Sequence, residues 1–412
     1  MVTSGKQRIV VVGGGTGGMS VISALNLWPG REGLDITLIE PSEYHYYQPQ
    51  WTMVGGGLFP REVTRRRMAD LIPGSVNWIN KAVAEFAPGE NHVTTADGER
   101  VDYDYLIVAA GLKLDWDKIE GLPGNLGKHG ICSNYSYDSV ESTWENIRSL
   151  REGTAIFTFP PPPIKCAGAP QKIMYLAEDY FRRHGVRGNI KVAYRCAGDG
   201  IFAVKKYADA LNAICAARDI DTQFAWKLVA VDAAAREATF EHTKNGERRT
   251  EQYAMLHVTP PMSAPAFVAQ SPLANEAGFV EVDKGTTQHV RYANVFSLGD
   301  ASSLPTSKTA AAVRAQLPVL VMNLASQMEG RRLTETYDGY SSCPLVTGYG
   351  RLILAEFDYD LNPKETFPFD QSKERLSMYL LKKHVLPVIY WRGLIEGKQW
   401  PWLMPESHLK AF

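Results

Sequence analysis

Cysteine is scarce in this chain: five residues in 412, at positions 132, 166, 196, 215 and 343. An odd, sparse set is no disulfide scaffold, and no CxxC pair occurs, which argues against a zinc ribbon. If any cysteines pair, redox chemistry is a better reason than structure. Net charge is also missing. Lysine plus arginine number 44 against 45 acidic residues, a formal charge of -1, so no global field points to nucleic acid. No uninterrupted apolar run reaches about 18 residues, so no spanning helix is expected. The first residues carry neither an apolar secretory core nor an Arg-rich amphipathic leader. The chain is expected to be made in the compartment where it folds, or to be a mature form.

The bulk composition is ordinary for a globular protein, with 45% apolar and 22% charged residues. The length suits two or three domains. Arg8 to Val12 is a short β-branched run ending at Gly13-Gly14-Gly15-Thr16-Gly17-Gly18. A helical stretch follows to about Leu27, and Asp35 to Ile39 is a second strand ending on Glu40. Gly13-x-Gly15-x-x-Gly18 therefore follows a strand and opens a helix. Its first glycine permits a tight turn, the second close approach to a pyrophosphate, the third helix-on-strand packing. The helix N-terminus favours the anion. Glu40, about 20 residues beyond the last glycine, can accept from a ribose diol. Gly299-Asp300 ends a later strand and resembles the element that holds a flavin ribityl chain in two-domain flavoproteins of the disulfide-reductase kind. FAD is thus favoured over NAD at this first site.

A second block repeats the architecture. Thr154 to Phe159 and Ile190 to Tyr194 read as strands, Gln171 to His184 as a helix. Tyr253 to Thr259 takes the place that Tyr103 to Ala110 holds in the first block. The glycine turn is absent. The first strand runs instead into Pro160-Pro161-Pro162-Pro163-Ile164-Lys165-Cys166-Ala167-Gly168-Ala169-Pro170. Prolines supply no N–H groups for a phosphate, and their fixed φ forbids the required turn. Gly198-Asp199-Gly200 follows the next strand and lacks a third glycine. This block is expected not to bind a pyridine nucleotide, and a cysteine sits near where the nicotinamide would be expected. The expected division is an FAD-binding domain over 1–112 and 285–335, a second Rossmann-like domain over 150–284, and a C-terminal region over 336–412.

The segment from Phe159 to Lys172 resembles the first cysteine loop of sulfide:quinone oxidoreductases, especially the type II branch that includes the mitochondrial enzymes. Ser342-Cys343-Pro344-Leu345-Val346-Thr347-Gly348-Tyr349 resembles the second cysteine segment. Tyr44 to Pro49 and Thr306 to Ala312 also look like family segments. The resemblance implies an α/β fold of two Rossmann-like domains plus a C-terminal membrane-associating region. It implies sulfide oxidation to sulfane sulfur and reduction of a quinone through FAD, with Cys166 and Cys343 as the redox pair. It makes Gly15, Gly17, Gly18, Met19, Glu40, Gln48, Val83, Asp300 and Lys308 FAD contacts, beside Gly13 of the turn, and no metal is expected. Lys308 would place a cation near the flavin pyrimidine edge. Lys165 is the candidate cation beside the thiolate, with a solvated loop lysine as the alternative. Cys132 is either a small buried residue or the third cysteine of type I members. Cys196 and Cys215 read as core.

Expected partners are hydrogen sulfide, a quinone, a sulfur acceptor such as sulfite, glutathione, cyanide or sulfide, a membrane surface, and a second copy if the chain is a homo-oligomer. From Lys373 onward, Leu376, Tyr379, Leu380, Leu381, Val385, Leu386, Val388, Ile389, Tyr390 and Trp391 cluster around Lys382, Lys383 and Pro387, with Trp400, Trp402 and Phe412 following. This composition suits an interfacial helix, although a helix packed on the core would share it. The expected location is peripheral, on the bacterial cytoplasmic membrane. Competing readings are a type II NADH:quinone oxidoreductase, a sulfide dehydrogenase flavoprotein subunit, and a redox-inactive flavoprotein.

Overall fold

Two five-stranded parallel sheets organise the chain, whose computed structural model describes residues 5–398. In the first sheet the spatial order is Val295–Ser297, Tyr105–Val108, Gln7–Val12, Leu34–Ile39, Asn77–Ile79. In the second it is Ile131–Cys132, Met255–His257, Gly153–Phe159, Ile190–Cys196, Asp221–Phe224. Each sheet is built around its glycine- or proline-terminated strand, with the next strand on one side and the returning strand on the other. The strands are short runs of Val, Ile, Leu and Phe buried on both faces, as parallel strands covered by helices must be.

The expected strands and helices all form, within a few residues. Tyr105–Val108 and Met255–His257 occupy equivalent places, each paired with the first strand of its unit. The second sheet also recruits Ile131–Cys132, which lies ahead of the boundary expected at 150. Five further sheet elements have no counterpart in the sequence reading, two of them the short antiparallel pairs Tyr44–Tyr46 with Arg65–Arg67 and Lys113–Leu114 with Met262–Ser263. A three-stranded antiparallel sheet, Val83–Ala87, His92–Thr95 and Arg100–Asp102, precedes the return strand of the first unit. Trp226–Asp232, Glu237–His242 and Arg248–Gln252 do the same in the second. The duplication therefore extends to these insertions. The hairpin Ser341–Gly348 with Arg351–Phe357 packs on the helix Ala169–Arg183 and shares its apolar core.

The C-terminal region is one helical segment, Leu376 to Ile395, mostly of π type. Its inner face buries Met378, Tyr379, Lys382, Tyr390, Trp391 and Ile395. Its outer face leaves Leu376 and Leu380 exposed at 59% and 44%, with Val385 and Val388 beside them. The inner face is that of a helix packed on the core. Lys382 departs from the expectation of a lysine at a headgroup plane, because it points inward. Trp400, Trp402 and Phe412 lie outside the described residues. No helix among the described residues is long and apolar enough to cross a membrane.

Candidate active site

The glycine loop closes the carboxyl end of Gln7–Val12, at the centre of the first sheet. Gly13 has φ +100, and a Cβ there would fall on the Ala109 carbonyl. A Cβ on Gly18 would fall on the Gly13 carbonyl and touch Val11, so this glycine sets the helix against the strand. A Cβ on Gly15 would meet nothing within 4 Å. Gly15 is also the N-cap of Thr16–Asn26 and offers no side-chain cap. The first amides of this helix have no intrahelical acceptor. Glu40 ends the adjacent strand and accepts from the amides of Gly14 at 2.6 Å and Ser42 at 2.7 Å. Burial raises its pKa against those two hydrogen bonds. Open space, unpaired amides and an acidic residue in register fit a dinucleotide.

Asp300 follows Val295–Ser297 at the same end of the sheet, where ligands of open α/β sheets bind. Burial raises its pKa, and the opposing cations are Lys308 and Lys165. Lys308 donates from Nζ to the carbonyls of Asp300 at 2.7 Å and Ser302 at 3.1 Å. Gln48 accepts from Lys165 Nζ at 2.6 Å. Val83 lies in the first unit's core cluster with Val12 and Ile39. Met19 stands apart: its amide donates to Gly15 O at 3.0 Å and its side chain is wholly buried.

Cys166 occupies the strand-to-helix crossing of the second unit. Its φ of 52 lies in the left-handed region, costly for a residue with a Cβ and a mark of constrained sites. Its amide donates to Lys308 O at 2.9 Å, which ties the sulfur loop to the first unit. Cys343 reaches the same point from the hairpin. A Cβ on Gly168 would collide with its Sγ, so Gly168 is the gap through which the sulfurs meet. Neither is disulfide-bonded in this structure, and each thiol shifts the titration of the other. The hydrogen bond from Cys343 holds the Cys166 thiol well below its ordinary range, with Lys172 and Lys382 adding to that effect. The same bond, then burial, pushes Cys343 up. Of the two, the surroundings favour charge on Cys166.

Sequence reasoning missed the cations. Lys172 Nζ lies 3.3 Å from Cys166 Sγ, whereas Lys165 is turned to Gln48. The signal was available in helix spacing: Gly168 faces Cys343, and Lys172 is four residues on, over the same face. Burial works against the Lys172 charge, but Cys166 and Cys343 outweigh it and raise its pKa. Lys382 is buried too, donates to Pro49 O at 2.8 Å, and is pulled down to about 7 by burial and then by Lys172. Nothing local marks it. Cys132 is buried, with its thiol pushed up to about 12 by burial. Cys196 and Cys215 are likewise buried. No metal-ligating cluster occurs among the described residues.

Two dinucleotide-type units, one with a glycine loop and one with a cysteine at the same crossing, define a disulfide-reductase-like flavoprotein. A family model described as pyridine nucleotide-disulphide oxidoreductase matches residues 7–149. The chain belongs to the sulfide:quinone oxidoreductase family. It is 50% identical over 393 residues to the mitochondrial sulfide:quinone oxidoreductase of Dictyostelium discoideum, covering 95% of this chain and 86% of that protein. The mitochondrial enzyme of Mus musculus is 49% identical over 391 residues, with 95% and 86% covered. The sulfide:quinone oxidoreductase of the hyperthermophilic bacterium Aquifex aeolicus superposes with a TM-score of 0.80 at 20% identity, over 98% of this chain and 94% of that one. Membership implies a flavin cofactor. The two relatives of highest identity among these are named mitochondrial, so the expected bacterial cytoplasmic membrane gains no support from them.

Proposed function

We propose that this enzyme oxidises sulfide to sulfane sulfur and reduces a quinone, with FAD as the flavin and Cys166 and Cys343 as the redox pair. The observation that carries this reading is the convergence of two free cysteines at Gly168, with the Lys172 ammonium 3.3 Å from Cys166 Sγ. In the oxidised enzyme the two sulfurs form a disulfide. Hydrosulfide attacks Cys343; a new S–S bond forms as the Cys166–Cys343 bond breaks, leaving a persulfide on Cys343 and a thiolate on Cys166. The charge lands on the sulfur that Lys172 faces, and protonated Lys382 adds a second cation. Bound FAD supplies the two-electron redox chemistry that links this pair to quinone. A nucleophile such as sulfite, glutathione, cyanide or a second sulfide takes the outer sulfur. Loss of two electrons from the pair restores the disulfide. Sulfide thus loses two electrons, and quinone gains two electrons and two protons.

Gly13, Gly15, Gly17 and Gly18 would line the pyrophosphate, Glu40 the ribose diol, Asp300 the ribityl chain and Lys308 the pyrimidine edge. Gln48, Val83 and Met19 would flank the cofactor. The test is reduction of decylubiquinone by sulfide, with acceptors added one at a time, and identification of the bound flavin after extraction. Rapid flavin bleaching by micromolar NADH would favour the NADH:quinone reading and overturn this one.

The outer face of Leu376 to Ile395 is the proposed membrane contact. A quinone is lipid-soluble, and the apolar outer face lies on the same segment that brings Lys382 to the sulfurs. Leu376→Glu with Leu380→Glu should release the protein from liposomes without lowering its melting temperature. Unchanged co-sedimentation would remove this assignment.

A further inference from the structure

The C-terminal segment touches more than the sulfur pair. Its Tyr390 hydroxyl lies 2.6 Å from His45 Nε2 and 2.9 Å from Thr16 Oγ1. His45 Nδ1 lies 2.8 Å from the Gly14 carbonyl. The direction of every bond in this ring follows from one fact. A carbonyl can only accept, so Nδ1 carries the proton. His45 is buried and its pKa is lowered to about 4, so the ring is neutral and Nε2 must accept. The Tyr390 hydroxyl therefore donates to His45, and the Thr16 hydroxyl donates to Tyr390. The ring grips the glycine loop on both sides of Gly15, at Gly14 and at Thr16.

Further contacts hold the segment in place. Tyr390 packs on Tyr47 with centroids 4.3 Å apart. Arg66, opposite His45 in the strand pair Tyr44–Tyr46 with Arg65–Arg67, lies 4.2 Å from the Trp391 ring and 2.8 Å from Glu396. A Cβ on Gly397 would meet Leu27, at the far end of the helix that Thr16 begins.

We propose that Tyr390 is a positioning residue for the flavin: it holds the Thr16 hydroxyl away from the amides that receive the pyrophosphate, and the C-terminal segment latches the cofactor through it. The physical reason is competition. A Ser or Thr hydroxyl near a helix start readily bonds to the adjacent amides. Here those amides are the ones that an anion needs, and the Tyr390 oxygen removes the competitor. The proposal rests on the flavin reading above and adds to it a residue 374 positions from the loop it positions.

The experiment titrates flavin-free protein with FAD and records melting curves with and without flavin. Tyr390→Phe keeps the ring and removes the hydroxyl. It should weaken FAD binding about tenfold, the ratio that one net hydrogen bond gives. The melting temperature of the flavin-free form should fall modestly, since buried His45 Nε2 loses its donor, and that of the loaded form should fall further. Thr16→Ser should bind as the parent does. Thr16→Val placed in the Tyr390→Phe protein should recover most of the loss, because the competing hydroxyl is gone. Parent-like affinity in Tyr390→Phe would overturn the proposal. So would a failure of Thr16→Val to recover it, or equal destabilisation of both forms at unchanged affinity. A parent protein that takes up no FAD would instead overturn the FAD reading itself.

Discussion

The two parallel sheets place different chemistry at the same crossing. In the first unit the chain leaves Gln7–Val12 through glycines and enters a helix whose N-cap, Gly15, borders open space. In the second it leaves Gly153–Phe159 through prolines and enters a helix whose N-cap, Gly168, faces a sulfur. Both crossings use a helix start to favour negative charge. On the proposed reading, the first holds a ligand's phosphate and the second the protein's own thiolate. A duplicated scaffold has kept its electrostatics and exchanged its reagent.

The largest expected effect tests the second crossing. Cys166→Ser or Cys343→Ser should keep fold and bound flavin, yet lose sulfide-driven flavin reduction by several orders of magnitude, about equally, because the sulfurs act as a unit. Stopped-flow absorbance on variants with matched melting temperatures measures this. A near-normal rate in either would reduce the second crossing to a structural turn.

The first crossing is sharpened by two glycines. Gly15 has an ordinary extended conformation, φ -71, and free space for a Cβ, so Gly15→Ala should leave flavin-free stability unchanged while weakening flavin binding, on the order of a hundredfold. Gly18→Ala should do the reverse and destabilise the flavin-free fold by about 1–3 kcal/mol, since its Cβ meets the Gly13 carbonyl. Calorimetric titration and thermal melts separate the two. Equal melting losses would mean that both glycines serve packing alone.

Lys172→Met should raise the Cys166 pKa and slow sulfide-driven reduction by roughly ten- to a hundredfold. Titration of thiolate absorbance reads the first effect; an unmoved titration would assign the thiolate to another cation. Lys382→Met tests a smaller effect with a defined sign. The folded pKa is lowered from 10.5 to about 7, so between those values the unfolded chain binds more protons. Stability of the parent relative to the variant should therefore rise with pH in that window, by about 1.4 kcal/mol per unit, and be lowest below pH 7. A pH-independent difference in melting temperature would place a neutral or solvated lysine there. Least affected should be Cys132→Ser, expected to stay within about twofold of the parent rate, since surface-remote, unreactive thiols behave as small core residues. A dead Cys132→Ser would make this a three-cysteine enzyme.

How much of this was legible in the sequence follows from the range of each interaction. The glycine turn, Glu40 and the strand ends are local patterns, and all appear where the periodicity puts them. The cysteine segments were legible by resemblance. The short antiparallel strands, such as Arg100–Asp102, fall below the length at which alternation can be read. Lys172 and Lys382 look like ordinary charged helix residues. Their burial comes from a hairpin and a terminal segment far away in the chain, which no local pattern encodes. Tyr390 was legible as apolar surface and turns out to be a hydrogen-bonding member of the first loop.

That last contact has a consequence for biosynthesis. Thr16 and Tyr390 are separated by 374 positions. At roughly 5–20 residues per second, a ribosome delivers the tyrosine about 20–75 s after the threonine. The glycine loop can fold early, with its strand and helix, but its Thr16 hydroxyl stays unclaimed for that interval. If Tyr390 latches the flavin, tight cofactor retention belongs to the finished chain rather than to the nascent one, and a message cut short before Tyr390 yields a protein with its whole glycine loop in place and a poor hold on its flavin.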